Sequence, residues 1–85
     1  MRRFEFGVAV VDIAYDPRRR TTYILGSEKA GRNVLVTLDR NGVQHSTRLP
    51  MTGGASVAVD GRGRIWISAP FQHSLVAIAP ESKWG

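Results

Sequence analysis

The chain has no cysteine and only two histidines, His45 and His73. A disulfide framework is thereby excluded, and neither histidine has neighbours at a spacing that would hold a structural zinc. Disulfides and metals are the usual supports of a domain this small. Its 85 residues would bury only about 60% of the surface exposed when unfolded. Oligomerisation is the support that remains. Helical periodicity is nearly absent, and so is any run of about 18 apolar residues that could cross a membrane as a helix. The opening MRRFEFGVAVVDIAYD places two arginines before an apolar stretch, but Glu5 and Asp12 interrupt it and no small-residue cleavage site follows. That pattern argues against a signal peptide and for a cytoplasmic protein.

Acidic residues are also few, 7 against 12 basic ones, giving a net charge of +5. Most of this charge is expected to be solvated surface. The surplus nevertheless favours acidic partners such as nucleic acid, anionic glycan or an acidic protein surface. Arginine supplies most of it, and its planar fork binds phosphate and carboxylate through two hydrogen bonds at once.

What the chain does contain is a series of short runs rich in Val, Ile, Tyr and Trp, each bounded by Gly, Pro, Asp or Asn. They predict eight strands: Phe4–Phe6, Val11–Tyr15, Tyr23–Leu25, Val34–Leu38, Val43–Arg48, Ser56–Val59, Ile65–Ser68 and Leu75–Ala79. The intervening turns agree with an all-β protein. DPRRR (16–20) offers Asp and then Pro, whose fixed φ suits the second position of a turn. DRNG (39–42) places Asn41-Gly42 where positive φ is wanted, and DGRG (60–63) carries two turn glycines.

The two halves of the chain also match each other. DIAYDPRRRTTYILGS (12–27) aligns with SVAVDGRGRIWISAP (56–70), with Asp16 on Asp60 and Tyr23 near Trp66. NVLVTLDRNG (33–42) aligns with SLVAIAPESK (74–83), at an offset of 41 to 44 residues. That period suits the four-stranded blade of a β-propeller. The expected architecture is therefore two blades, one over residues 11–48 and one over 55–80, the second completed by strand 4–6 of a neighbouring chain. Two blades cannot close a ring, so closure would come from homo-oligomerisation. Six blades as a homotrimer are the first expectation and eight as a tetramer the second. A fragment of a longer propeller would carry the same pattern.

VAVDGRGRIWISAPFQHSLVAIAP (57–80) resembles the repeat of NHL and streptogramin-lyase-like propellers, which are similar in turn to the gluconolactonase type. The resemblance rests on Val57, Val59, Asp60, Gly63, Ile65, Trp66, Ile67, Leu75, Val76 and Ile78. IAYDPRRRTTYILGS (13–27) is similar through Asp16 and Tyr23, but has Pro17-Arg18-Arg19-Arg20 where the turn glycine would stand. The resemblance implies a binding module for protein or RNA, or an enzyme whose channel carries metal-coordinating carboxylates, Asn or His. No such ligand cluster is assignable here, so no metal, cofactor or catalytic residue is expected.

In this arrangement one end of the blades would gather the turn charges: Arg18, Arg19, Arg20, Arg40, Arg62, Arg64 and Lys83, with Asp16, Asp39, Asp60 and Glu81. The candidate anion-binding residues are Arg18, Arg19, Arg20, Arg62 and Arg64. The opposite end would carry a candidate ligand-face loop at Phe71, Gln72 and His73. Tyr23 and Trp66 are expected to pack between blades. An alternative gives Trp66 or Trp84, with Arg64 and Glu81, a lectin-like glycan site. No nucleophile elbow, paired strand-end carboxylates or phosphate-gripping Gly-Lys-Ser/Thr loop occurs, which weighs against an enzyme. The main rival architecture is a small monomeric β-barrel that binds nucleic acid, using Phe4, Phe6, Tyr15 and Tyr23 to stack on bases.

Overall fold

The β-branched and aromatic runs do become strands, and their order explains why the turn charges collect. A computed structural model describes residues 3–78, the side chain of Phe71 excepted. The strands are β1 (Ala9–Asp16), β2 (Thr21–Ser27), β3 (Arg32–Leu38), β4 (Gln44–Thr52), β5 (Ser56–Val59), β6 (Ile65–Ala69) and β7 (Ser74–Ile78), with one 3₁₀ turn at Pro70–Gln72. They form two antiparallel meanders, a first sheet in the order β1-β2-β3-β4 and a second in the order β5-β6-β7. The protein is all-β over the described residues, and none of its helices there is long and apolar enough to cross a membrane. Among the described residues the two sheets are separate, with no strand ladder joining them. Ala79, Glu81, Lys83 and Trp84 lie outside the described residues.

One expected strand is not formed within its own chain. Phe4–Phe6 joins no sheet; instead Phe6 and Val8 lie on the first sheet of their own chain, against Ile24, Val34 and Val36. Gly26 makes room for this cover: a Cβ at that position would collide with the Val8 side chain.

A single turn design recurs. The Asp39 N–H donates to Val43 O at 3.1 Å and the Gly42 N–H to Asp39 O at 3.0 Å; the Asp60 N–H donates to Arg64 O at 2.9 Å and the Gly63 N–H to Asp60 O at 3.0 Å. The glycines stand at φ +83° and +82°, which L side chains adopt only at a cost. The β1–β2 hairpin is built differently. Arg20 takes the left-handed position, at φ +51°.

The register of the two meanders is equivalent, row by row. On one face of the first sheet, the rows Tyr15–Thr22–Leu38 and Ile13–Ile24–Val36 run across the strands. On the second sheet their equivalents are Val59–Ile65–Ile78 and Val57–Ile67–Val76. We call these the front faces. On the back faces, Ala14–Tyr23–Thr37 corresponds to Ala58–Trp66–Ala77, and Asp12–Leu25–Leu35 to Ser56–Ser68–Leu75. The equivalence of residues 12–27 with 56–70 read in the sequence exists as geometry, with Asp16 on Asp60 and Tyr23 on Trp66; the alignment of 33–42 with 74–83 is one residue out of step, since Leu35 stands in the place of Leu75 and not of Val76.

The core lies where the back of the first sheet meets the front of the second. Tyr23, Leu25, Leu35, Leu49 and Met51 pack there against Val57, Ile65 and Ile67. Each fully buried aliphatic side chain contributes about 1.5–3 kcal/mol, an upper estimate because the unfolded chain is already partly collapsed. The inner strands β1 and β5 lie side by side, and Asp12 Oδ2 accepts from the Val57 N–H at 2.9 Å. Asn33, 1% exposed, braces the crossover from β4 to β5: its Nδ2 donates to Gly26 O at 3.1 Å and its Oδ1 accepts from the Gly54 N–H at 2.7 Å.

Candidate functional site: the arginine-bearing hairpin end

Because both sheets are meanders, the β1–β2, β3–β4 and β5–β6 hairpins all point to one end. Each opens on an aspartate whose carboxylate closes its own turn. Asp16 Oδ1 accepts from the Arg18 N–H at 3.0 Å. Asp39 Oδ1 accepts from the Asn41 and Val43 N–H groups at 2.8 and 3.0 Å. Asp60 Oδ1 accepts from those of Arg62 and Arg64 at 2.8 and 2.9 Å. The aspartates thus spend part of their acceptor capacity on the backbone, and the arginines of the same turns are displayed around them.

Two of these arginines are held. Arg19 Nη1 is 2.9 Å from Asp16 Oδ2, and the guanidinium lies over Gly63, where a Cβ would collide with it. One side chain of the first sheet thereby seats on the turn of the second, bringing the β1–β2 and β5–β6 hairpins together. Arg64 Nε donates to Asp60 Oδ2 at 3.1 Å, and its guanidinium carbon sits 5.4 Å from the Trp66 ring centroid. The Trp66 indole N–H also donates to Asp60 Oδ2, at 2.9 Å. Arg18, Arg20 and Arg62 are exposed. The five arginines singled out in the sequence therefore share one end of the molecule, two of them fixed and three displayed.

Electrostatics follow from these partners. Burial pushes the Asp16 carboxyl up. Hydrogen bonds from the Arg19 side chain and from the Arg18 and Arg19 backbone outweigh that and leave its pKa below the usual carboxylate range. The Trp66 indole N–H is the largest influence on Asp60. With the backbone N–H groups of Arg64 and Arg62 and the Arg64 side chain, it holds that carboxyl far below its ordinary value against the opposing effect of burial. Burial, reinforced by the Asp16 charge and opposed by Arg19, pushes the Tyr23 hydroxyl up. Both aspartates thus stay ionised into the acid range, and the arginines keep their local counter-charges.

The loop singled out at the other end is less organised. The Gln72 Nε2 donates to Thr52 Oγ1 at 2.8 Å. His73 is exposed; it closes the 3₁₀ turn through its N–H to Pro70 O at 3.1 Å, in the left-handed conformation at φ +51°. The Phe71 side chain lies outside the described residues. Among the described residues no group of three His, Asp or Glu side chains converges. Of the two aromatics, Tyr23 is buried between the sheets at 2% exposure, whereas Trp66 stands on the back of the second sheet, half-buried.

Sequence reasoning did not find the seat of Arg19 on Gly63, nor the roles of Asn33 and Asp12. The last two carried a signal: Asp12 is a lone polar residue inside the apolar run VVDIA, and Asn33 heads the apolar run of NVLV. Comparison with protein-family models, with curated proteins and with solved structures finds no match to this chain.

Proposed function

We propose that this chain is a two-blade β-propeller unit that closes into a ring by homo-oligomerisation and serves as a binding module for an anionic partner. The NHL-like character of residues 57–80 belongs to this proposal. So does the completion of the second blade by the N-terminal segment of a neighbour. Three chains would give six blades. The observation that carries the anionic partner is the Arg19 guanidinium seated on Gly63. It joins two arginine-bearing hairpins into one surface on which Arg18, Arg20 and Arg62 are displayed. Symmetry would repeat that surface around the ring, and many weak contacts would add to a salt-sensitive avidity.

The test is binding to duplex DNA and to an anionic glycan across a salt series. Affinity falls with rising salt, and replacing Arg18, Arg20 and Arg62 by Ala lowers affinity and flattens that dependence. Each phosphate contact contributes about 0.9 to the slope of log affinity against log salt on duplex DNA. Unchanged binding by the triple variant overturns the assignment of this end.

A further inference from the structure

The two surfaces that meet inside the chain are both displayed again on its outside. Within the chain, the back of the first sheet covers the front of the second: Tyr23 is 2% exposed, Leu35 1%, and Val57 and Ile67 5% and 0%. On the outside, the front of the first sheet leaves Ile13 61% and Tyr15 56% exposed, and these are the row equivalents of Val57 and Val59. The back of the second sheet leaves Leu75 64% exposed with Trp66 half-buried beside it, and these are the equivalents of Leu35 and Tyr23. One free face is thus of the type that its own chain buries in one sheet, and the other is of the type that it buries in the other.

The N-terminal segment fits the same scheme. Inside the chain, the end of β4 brings Leu49 and Met51 into the core with the second sheet's front. On the first sheet's front, Phe6 and Val8 pack on Ile24, Val34 and Val36, ahead of β1 just as the end of β4 stands ahead of β5. The segment thus stands where the outer strand of a preceding sheet would stand. The strand it would pair with is β7, which among the described residues has a neighbour on one side only. An exposed strand edge carrying apolar residues is a ready template for strand addition.

From this we infer that a second copy of the chain docks head to tail. The back of its second sheet, led by Trp66 and Leu75, covers Ile13 and Tyr15, and its β7 edge takes up the partner's N-terminal segment as a fourth strand. The inference rests on the ring reading above and names the two surfaces that make the ring. The contact is heterologous, because each copy gives one face and receives the other.

Ile13→Glu and Leu75→Glu test it by light scattering over a range of concentrations. Both side chains are exposed in the single chain, so circular dichroism checks that each variant keeps its fold. The parent is expected to assemble, and each variant to remain at 9.4 kDa. Mixed in equal amounts, the two variants are expected to form a species of twice that mass and nothing larger. The intact back of one still receives the intact front of the other. Variants that assemble like the parent, or a mixture that stays monomeric while the parent assembles, overturn the inference and leave the ring reading standing. A parent that is monomeric throughout overturns both.

Discussion

Arg20 sits in a backbone conformation that its side chain disfavours, at φ +51°, in the one Asp-opened hairpin without a turn glycine. The left-handed region costs an L-residue roughly 1–2 kcal/mol. Glycine escapes that cost but gives part of it back through the entropy of the unfolded chain. Arg20→Gly is therefore expected to stabilise the protein by about 0.5–1 kcal/mol, read as a rise of a few degrees in the thermal midpoint. Asn33 lies at the opposite extreme. Removing its amide leaves the Gly26 carbonyl and the Gly54 N–H without their partner at a buried site. Asn33→Ala is expected to cost about 2–3 kcal/mol by urea unfolding. No change on removing it would mean that water satisfies both groups.

The strands and their turns were the part of this fold that local chemistry wrote most clearly. DRNG and DGRG specify their hairpins because Asp closes the turn from the first position and Gly supplies the positive φ near its end. Alternating burial then marks the faces of β4 and β6, whereas β2 and β3 are buried on both faces and take their register from their turns. Phe4–Phe6 forms no strand within its own chain, and whether an apolar triplet pairs depends on the edge it meets, which three residues do not specify. The meeting of Arg18, Arg19, Arg20, Arg62 and Arg64 was legible from topology alone, since a meander sends its alternate turns to one end. The seat of Arg19 on Gly63 was not, because it depends on how two sheets pack.

The hairpins also predict a pH dependence. Asp16 and Asp60 have pKa values lower in the folded state than in the unfolded one. Their contribution is present in full above the unfolded value of about 3.9 and is lost as pH falls toward the folded values. Stability is expected to fall steeply below about pH 4, and less steeply in Asp16→Asn and Asp60→Asn. Equal acid sensitivity in parent and variants would show that other carboxylates govern it. Tyr23 acts at the other limit. Its raised pKa makes stability decline above about pH 10, as the unfolded chain ionises first.

At the scale of the whole molecule, the hairpin arginines stand apart from the exposed apolar residues of the sheet faces, although the Arg48–Glu28 ion pair shares the front of the first sheet with Ile13 and Tyr15. The arginines crown one end, while Ile13, Tyr15 and Leu75 lie on the flanks of the two sheets. Under the head-to-tail arrangement, association buries the flanks and leaves the crown facing solvent. Raising ionic strength is then expected to weaken polyanion binding while leaving the assembly's mass unchanged, since apolar burial is strengthened rather than screened by salts such as sulfate. Dissociation by moderate salt would place charge in the interface and count against this division.

The brace made by Asn33 acquires a further meaning here. A Cβ on Gly54 would lie 2.9 Å from the Asn33 Oδ1, so the crossover between the sheets is pressed against that one amide. In an array whose every junction copies the internal one, the inclination between neighbouring sheets decides how many units come round to the starting point. Under that arrangement part of the count would be written inside each chain, at the junction where Asn33 meets Gly54, and part in the contact that copies it between chains.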